Sequence, residues 1–262
     1  MKSPCNNVCS VDPHSGLCKG CQRTLEEIGG WAAMSDAERE RIMAELPARR
    51  KLPQVHDVTW YFDFVSPFSH IGLYRLKDLP PNVRVTFRPV LFAGLLKHWG
   101  QKGPAEIPAK RRWTYRWCAW WAAELGVPFR FPASHPFNPL HHLRLCIAAG
   151  PSYEVAKVIF DSLWTSGAEA DDPQRFSSLC KDLGIDPGAL SAPEIKDALR
   201  RNTEEAAARG VFGVPSFEAQ GEVFWGADAM EFFGDFLRDR RLFEDPEMQR
   251  VDRLPAGAAR RG

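Results

Sequence analysis

The order of strand-like and helix-like segments is the feature that most constrains how this chain can fold. A nearly continuous run of apolar, β-branched and aromatic residues at 58–65 predicts a buried strand. Ser66 and Pro67 then predict the start of a helix, because serine is a good helix cap and proline is favoured at the first helical position. The alternating residues 83–90 predict a second strand, which completes a β-α-β unit.

Helical patterns then fill residues 94–208 before strands return. Strands predicted at 214–219 and 222–225 flank Gln220-Gly221, a hairpin signal, and a last helix is predicted at about 227–240. The candidate helices of the middle block include residues 140–149, 153–165, 173–183 and 193–209. This order of elements predicts an α/β, thioredoxin-like fold with a large all-helical insertion.

The composition along the chain predicts three zones. Residues 1–53 form a small Cys-rich module with a polar linker at 48–53, residues 54–245 form the α/β domain, and residues 246–262 form a flexible tail. No window approaches ~18 uninterrupted apolar residues, and no apolar segment follows the first residues, so we expect a cytoplasmic protein without a membrane span or secretory signal. The formal net charge of +1 gives no support for nucleic-acid binding.

Four of the seven cysteines fall close together near the start of the chain, at Cys5, Cys9, Cys18 and Cys21. In a reduced compartment this spacing favours one tetrahedral metal site, and both zinc and an iron–sulfur cluster are compatible with four thiolates. The alternative is a set of reduced structural or redox thiols, with Cys18 and Cys21 as a redox pair. His14 and the pair His141-His142 are expected at the surface rather than as metal ligands.

The junction between the first strand and first helix is a candidate active centre. It reads Ser66-Pro67-Phe68-Ser69, where a disulfide oxidoreductase of this fold would have two cysteines. The free N–H groups and partial positive charge of a helix N-terminus stabilise an anion, and a serine hydroxyl can donate to a bound thiolate. We therefore expect Ser66 to lower the pKa of a glutathione thiol, unless it serves only as a helix cap.

The Val214-Pro215 step is the second candidate element of this centre. Proline is disfavoured inside a central strand, so a cis peptide bond at the start of the strand would explain its position. In thioredoxin-like proteins this loop faces the N-terminus of the first helix. The alternative is a trans proline that simply begins the strand.

Residues 56–240 resemble the family of 2-hydroxychromene-2-carboxylate isomerases and kappa-class glutathione transferases, which have a DSBA-like domain. The motifs that carry the resemblance are Phe62-Asp63-Phe64-Val65-Ser66-Pro67-Phe68-Ser69, Arg88-Pro89-Val90-Leu91, Pro108-Ala109-Lys110-Arg111, His135-Pro136-Phe137-Asn138-Pro139-Leu140, Gly210-Val211-Phe212-Gly213-Val214-Pro215 and Trp225-Gly226-Ala227-Asp228. The motifs span most of this region and occur in the family's order.

The resemblance implies a role for several residues. Ser66 takes the place of the catalytic serine, often described as a nucleophile, although we favour a thiolate-stabilising role. The other residues implied to bind glutathione are Val214, Pro215, Asp228 and Gln101, and those implied to bind the second substrate are Lys110, His135 and Asn138. Two positions depart from the family pattern, because Gln101 replaces an asparagine and Ala229 replaces the arginine that usually follows the aspartate.

Residues 3–46 resemble a short bacterial Cys-rich domain of unknown function that is described as a predicted Fe–S protein. The matching residues include the four clustered cysteines, Arg23-Thr24-Leu25-Glu26-Glu27-Ile28 and Trp31. After them, Ser35 and Glu38 have the spacing of a capping box, which predicts a helix that runs to Leu46.

Tryptophans recur at helical spacing within a basic segment, at Trp113, Trp117, Trp120 and Trp121. The spacing is typical of a packed helix face. A cleft wall is an alternative, in which aromatic rings stack on a flat substrate and Lys110 or Arg111 pairs with its carboxylates. A site for single-stranded nucleic acid is a third interpretation.

Together these features predict a glutathione-dependent isomerase that acts on aromatic catabolic intermediates. The alternatives are a kappa-class transferase or peroxidase, and a metal-binding adaptor that has lost catalysis. The expected ligands are glutathione and a small aromatic substrate, with zinc or an iron–sulfur cluster in the N-terminal module. We expect neither a nucleic-acid nor a membrane partner, and a homodimer is left open.

Overall fold

The chain forms two compact units, Met1–His56 and Asp57–Gly262, in a computed structural model. The structure describes residues 3–12, 15–49, 55–255 and 257. His14, residues 50–53 of the predicted linker and residues 258–262 of the predicted tail lie outside the described residues.

In its described residues the N-terminal unit has two helices, α1 (Leu25–Gly30) and α2 (Asp36–Arg49). The predicted capping box is confirmed, because the Ser35 amide donates to the Glu38 carboxylate at 2.7 Å and the Glu38 amide donates to the Ser35 hydroxyl at 3.3 Å. Helix α2 continues past Leu46, and the Arg49 guanidinium at its end donates to the Glu27 carboxylate of α1 at 2.6 Å. This ion pair ties the end of α2 to the first helix.

The larger unit contains the remaining elements. In chain order they are β1 (His56–Phe62, which begins at the unit boundary), α3 (Pro67–Arg75), β2 (Val83–Pro89), α4 (Phe92–His98), α5 (Pro108–Glu124), α6 (Leu140–Ala149), α7 (Tyr153–Trp164), α8 (Pro173–Asp182), α9 (Pro193–Ala208), β3 (Ser216–Ala219), β4 (Glu222–Trp225), α10 (Met230–Arg238) and α11 (Pro246–Val251). The predicted order of β-α-β, helical block and β-β-α is confirmed.

The four strands form one sheet in the order β2-β1-β3-β4. Strand β3 runs antiparallel to β1, with Ser216 opposite Tyr61, and antiparallel to β4. Gln220 and Gly221 between β3 and β4 have φ values of 55° and 89°, as a type I′ hairpin turn requires. Because β1 and β3 are antiparallel neighbours, the C-terminal end of β1 lies beside the N-terminal end of β3. The loop after β1 and the loop before β3 therefore meet at the same end of the strands.

The helical block packs on the central strand through a cluster of buried aromatic rings. Trp60 and Phe62 of β1 stack at 4.5 Å between ring centroids, and Phe64 contacts Phe160 of α7 at 4.6 Å. The indole of Trp164 in α7 donates to the Phe64 carbonyl at 2.9 Å. Such aromatic packing fixes the chain just before Ser66.

Helix α5 packs through a different face than the sequence predicted. Its buried residues are Thr114, Cys118 and Ala122, whereas Trp113 and Trp120 are 64% and 52% exposed. The prediction of a packed tryptophan face was therefore wrong at these two positions. Small side chains spaced four residues apart let the helix approach its neighbours closely, and the tryptophans flank this stripe.

Two further segments differ from the sequence prediction. His142 is buried in α6 rather than exposed, while His141 is exposed. The segment predicted as a flexible tail contains α11, which begins at Pro246 and is capped by the Asp245 carboxylate. Within the described ranges, no helix is long and apolar enough to cross a bilayer.

Candidate active site

Ser66 lies at the N-terminus of α3, at the point where the two loops meet. Its side-chain oxygen accepts a hydrogen bond from the Ser69 amide at 3.2 Å, and its hydroxyl donates to the Val214 carbonyl at 3.3 Å. The residue is 6% exposed. Ser66 is therefore a helix cap and is also a hydroxyl donor that reaches the opposite loop.

Asp63 holds the backbone that precedes Ser66, a role that its place in a sequence motif does not predict. Its buried carboxylate accepts from the Val65 amide at 3.1 Å and from the Phe92 amide at 2.8 Å. Burial raises the pKa of Asp63 to about 7, although these amides oppose the shift. A charged residue within an apolar strand pattern was the available signal. The Asp63 contacts also explain why β1 ends at Phe62 rather than continuing to residue 65.

The Val214–Pro215 peptide bond is cis, as the sequence predicted. The ring of Pro215 packs against α3 at Gly72. A Cβ atom placed on Gly72 would lie 3.3 Å from Pro215 Cγ, so a larger residue there would crowd the proline ring. A Cβ on Gly213 would lie only 2.3 Å from Trp225 Nε1, so the indole of Trp225 covers the backbone of this loop. Val214 lines a cleft, whereas Pro215 packs behind Val214 against α3.

The cleft beside Ser66 has a volume of about 600 Å³. Four of the predicted site residues line it, and they are Ser66, Val214, Asp228 and His135. Its aromatic walls are formed by Phe68, Phe92, Trp113, Trp117, Phe137 and Trp225. The cleft-wall interpretation therefore describes Trp113 and Trp117 on α5 better than the packed-core interpretation.

His135 contacts the protein backbone with its ring. Its Nε2 lies 2.7 Å from the Val65 carbonyl oxygen, and its Nδ1 is close to the Tyr115 hydroxyl. Burial lowers the pKa of His135, so the ring is neutral at neutral pH. The ring thus joins the helical block to the residue before Ser66, and its contact with substrate stays a prediction. Tyr115, which was not predicted from the sequence, also lines the cleft.

Three other predicted residues lie outside the set that lines the cleft, and they are Gln101, Lys110 and Asn138. All three are exposed. Lys110 lies one turn before Trp113 on the same side of α5, and the Asn138 side chain accepts from the Leu140 amide at 3.1 Å, where α6 begins. A family motif predicts that residues lie near a site along the chain, but it does not determine which side chains face the cleft.

The four clustered cysteines of the N-terminal unit differ in solvent exposure. Cys5 and Cys9 are exposed, while Cys18 and Cys21 are buried. The Cys18 thiol donates to the Val8 carbonyl at 3.2 Å, and the Arg23 guanidinium donates to Cys21 Sγ at 3.4 Å. Burial opposes ionisation of Cys21, but hydrogen bonds from Arg23 and Cys18 outweigh it and hold its pKa below the usual range.

This arrangement does not fit the metal site that the cysteine spacing predicted. In the part of the chain that the structure describes, no three residues among the histidines, cysteines, aspartates and glutamates are grouped to hold a metal ion. The amide of the Asn6 side chain donates to the Gly20 carbonyl at 3.0 Å, so the residue next to Cys5 contacts the segment between Cys18 and Cys21 through its side chain. A tetrahedral site would need four thiolates around one centre.

Comparison with known proteins gives two matching families. The DSBA-like thioredoxin domain matches residues 57–238, and a protein family of unknown function (DUF1289) matches residues 3–50. A 2-hydroxychromene-2-carboxylate isomerase of Sphingobium xenophagum is 29% identical over 192 residues, which are 70% of this chain and 98% of that protein. The glutathione S-transferase kappa 2 of Caenorhabditis elegans is 25% identical over 212 residues, which are 72% of this chain and 94% of that protein.

Solved structures include a similar protein. A 2-hydroxychromene-2-carboxylate isomerase superposes with a TM-score of 0.63 at 25% sequence identity. The superposition covers 72% of this chain and 98% of the isomerase chain.

Proposed function

Because the chain belongs to the DSBA-like thioredoxin domain family, as its motifs predicted, we propose that it catalyses a glutathione-dependent isomerase or transferase reaction at Ser66. The observation that carries this proposal is the Ser66 hydroxyl, at the N-terminus of α3 and 3.3 Å from the Val214 carbonyl, beside a cleft of about 600 Å³. A serine at this position removes dithiol exchange and leaves a site suited to a thiolate that arrives with a ligand.

The residues around the cleft fit glutathione. The volume of the cleft lies within the range of about 300–1,000 Å³ that is common for small-molecule sites. When bound, glutathione would supply a nucleophilic thiolate. The Ser66 hydroxyl would turn from the Val214 carbonyl to donate to the sulfur, and the N-terminus of α3 would favour its negative charge. Val214 would offer backbone groups to the cysteinyl part, and the Asp228 carboxylate would accept from the γ-glutamyl ammonium.

For the second substrate we favour an unsaturated aromatic compound and an isomerase reaction of the 2-hydroxychromene-2-carboxylate type. The isomerase relative supports this choice, as do the aromatic walls of the cleft, since flat rings stack well on tryptophan and phenylalanine. In this reaction the chain would orient the substrate against the thiolate and stabilise the charge that develops.

A kappa-class transferase reaction is the second candidate, and a specific observation favours it. Lys110, implied to bind a substrate carboxylate, lies outside the residues that line the cleft, and none of the described lining residues is a lysine or an arginine. The carboxylate that the isomerase substrate carries would therefore have no cationic side chain beside it. An aromatic electrophile without a carboxylate would not need one.

A titration of the full chain tests the shared part of the proposal. We expect calorimetry to show binding of glutathione and weaker binding of S-methylglutathione, with ultraviolet absorbance of a bound thiolate at neutral pH. Turnover of a cis-2-oxo-alkenoate or of an aromatic electrophile then separates isomerase from transferase. Glutathione binding without turnover of either would support an adaptor, and absence of glutathione binding would refute the proposal.

A further inference from the structure

Tyr115 presents a fixed hydroxyl group to the cleft. Its ring stacks on Phe131 with centroids 4.3 Å apart, and both Tyr115 and His135 line the cleft. The hydroxyl is close to His135 Nδ1 and lies 2.8 Å from the backbone carbonyl oxygen of His135. A side chain held at its ring and at its hydroxyl loses little entropy when a ligand engages it.

The contacts of His135 settle which partner donates. The Val65 carbonyl can only accept, so the imidazole Nε2 at 2.7 Å carries the proton. In a neutral ring the other nitrogen, Nδ1, is then an acceptor, and the Tyr115 hydroxyl must be the donor. The hydroxyl proton of Tyr115 therefore points towards His135, whose Nδ1 and backbone carbonyl oxygen are both acceptors for it. Because an O–H group rotates about its C–O bond, this proton can turn to a ligand oxygen in the cleft in exchange for these contacts.

We propose that Tyr115 is a catalytic hydrogen-bond donor to the substrate oxygen on which negative charge accumulates, and that His135 is the residue that positions it. This inference rests on the glutathione-dependent function proposed above. It assigns to α5 a role in the chemistry that is distinct from that of Ser66, which acts on the sulfur.

The step needs no external acid or oxidant. A carbon–sulfur bond forms between the thiolate and an unsaturated carbon conjugated to a carbonyl group. The π electrons of that double bond move to the carbonyl oxygen, which becomes an oxyanion. Tyr115 donates a hydrogen bond to this oxygen and keeps its proton, and the electrons return when the carbon–sulfur bond breaks.

Five other polar residues of the cleft suit this role less well. Both carboxyl oxygens of Asp63 accept from backbone amides, and Glu106 and Asp228 carry carboxyl groups, which accept rather than donate when ionised. The proton of His135 is used on Val65, and the hydroxyl of Ser66 belongs to the thiolate. Burial raises the pKa of Tyr115, which keeps its hydroxyl protonated.

Tyr115→Phe in the full chain tests the proposal. We expect turnover to fall roughly ten- to a thousand-fold, the range for losing one preorganised donor to an oxyanion. The glutathione Kd and the pKa of the bound thiol should stay unchanged, because Ser66 keeps its contacts. Binding of a phenolate inhibitor should weaken, while binding of its methyl ether should not.

Tyr74→Phe is the matched control, because the Tyr74 hydroxyl donates to Asp161 at 2.7 Å and lies outside the residues that line the cleft. His135→Gln retains an amide donor for Val65 but removes the Nδ1 acceptor of the Tyr115 hydroxyl and leaves only the backbone carbonyl of residue 135, so it should lower turnover without moving the pKa of the thiol. His135→Leu removes both side-chain contacts and should also raise that pKa.

Two outcomes would overturn the proposal. One is unchanged turnover in Tyr115→Phe. The other is a raised pKa of the bound thiol in that variant, which would mean that Tyr115 acts on the sulfur. If wild-type protein fails to bind glutathione at all, the proposed function itself fails, and the inference about Tyr115 fails with it.

Discussion

At the scale of single residues, the site depends on which of two serines holds the thiolate. Ser66 and Ser69 both lie at the start of α3, but their hydroxyls differ. The Ser66 oxygen has contacts to the α3 backbone and to the Val214 loop, whereas the buried Ser69 Oγ has no hydrogen-bond partner among the described residues. Only the backbone amide of Ser69 takes part, as a donor to Ser66.

Ser66→Ala should therefore raise the pKa of bound glutathione and reduce turnover by roughly ten- to a thousand-fold. Ser69→Ala is the matched control and should change neither quantity, because it keeps the amide and removes an unpartnered hydroxyl. Ultraviolet titration of the thiolate and steady-state kinetics measure both. A raised pKa in Ser69→Ala with none in Ser66→Ala would reverse the assignment.

At the scale of helices and strands, α6 carries a buried histidine with a stability cost at low pH. His142 is 3% exposed and packs on Phe176 and Phe137, and its Nδ1 has no partner in the described part of the chain. Burial lowers its pKa to about 4. An unfolded histidine has a pKa of about 6.5, so between these values the unfolded chain binds more protons and stability falls as the pH falls.

His142→Leu should remove this dependence. Between pH 7 and pH 5 the wild type should lose about 2 kcal/mol of unfolding free energy that the variant keeps. His141→Leu, at the exposed neighbouring position, should follow the wild type. Urea denaturation at both pH values measures the difference, and parallel curves for wild type and His142→Leu would show that His142 titrates normally.

Secondary structure was predictable where local signals decide it. Helices α6, α7, α8 and α9 end within one residue of their predicted bounds, because apolar residues recur within each segment and a Pro, Ser or Asp lies at or just before each start. The end of β1 was not predictable, because Asp63 bonds to Phe92, which is distant in sequence. The pairing of Tyr115 with His135 was missed for the same reason, since it needs the fold of the helical block to be known.

The candidate site residues were predictable in part. Ser66 and the cis Val214–Pro215 bond followed from residue types at strand ends. The positions of Lys110 and Asn138 relative to the cleft did not, because residue type and spacing along the chain do not determine which side chains face a cleft. Spacing along the chain predicted a four-cysteine site, but burial separated the cysteines into two pairs.

At the scale of the whole molecule, the two units carry thiols of different accessibility. Alkylation of the native protein should modify Cys5 and Cys9 first, because they are exposed, and should leave the five buried cysteines slow to react. Mass spectrometry of digested protein measures the order, and unfolded protein, in which all seven react, is the control. Protection of all four N-terminal cysteines together with stoichiometric metal would contradict the arrangement described above.

The loop that carries Ser66 depends on the helical block for its hydrogen bonds. The Phe64 carbonyl is satisfied by the Trp164 indole and the Val65 carbonyl by the His135 ring, and both side chains come from the helical block rather than from the sheet. The helical block therefore cannot be exchanged independently of the sheet. A chimera that took its sheet from one relative and its helices from another would keep two chemically complete halves, yet it would present a misaligned serine unless donors equivalent to these two side chains were transplanted with it.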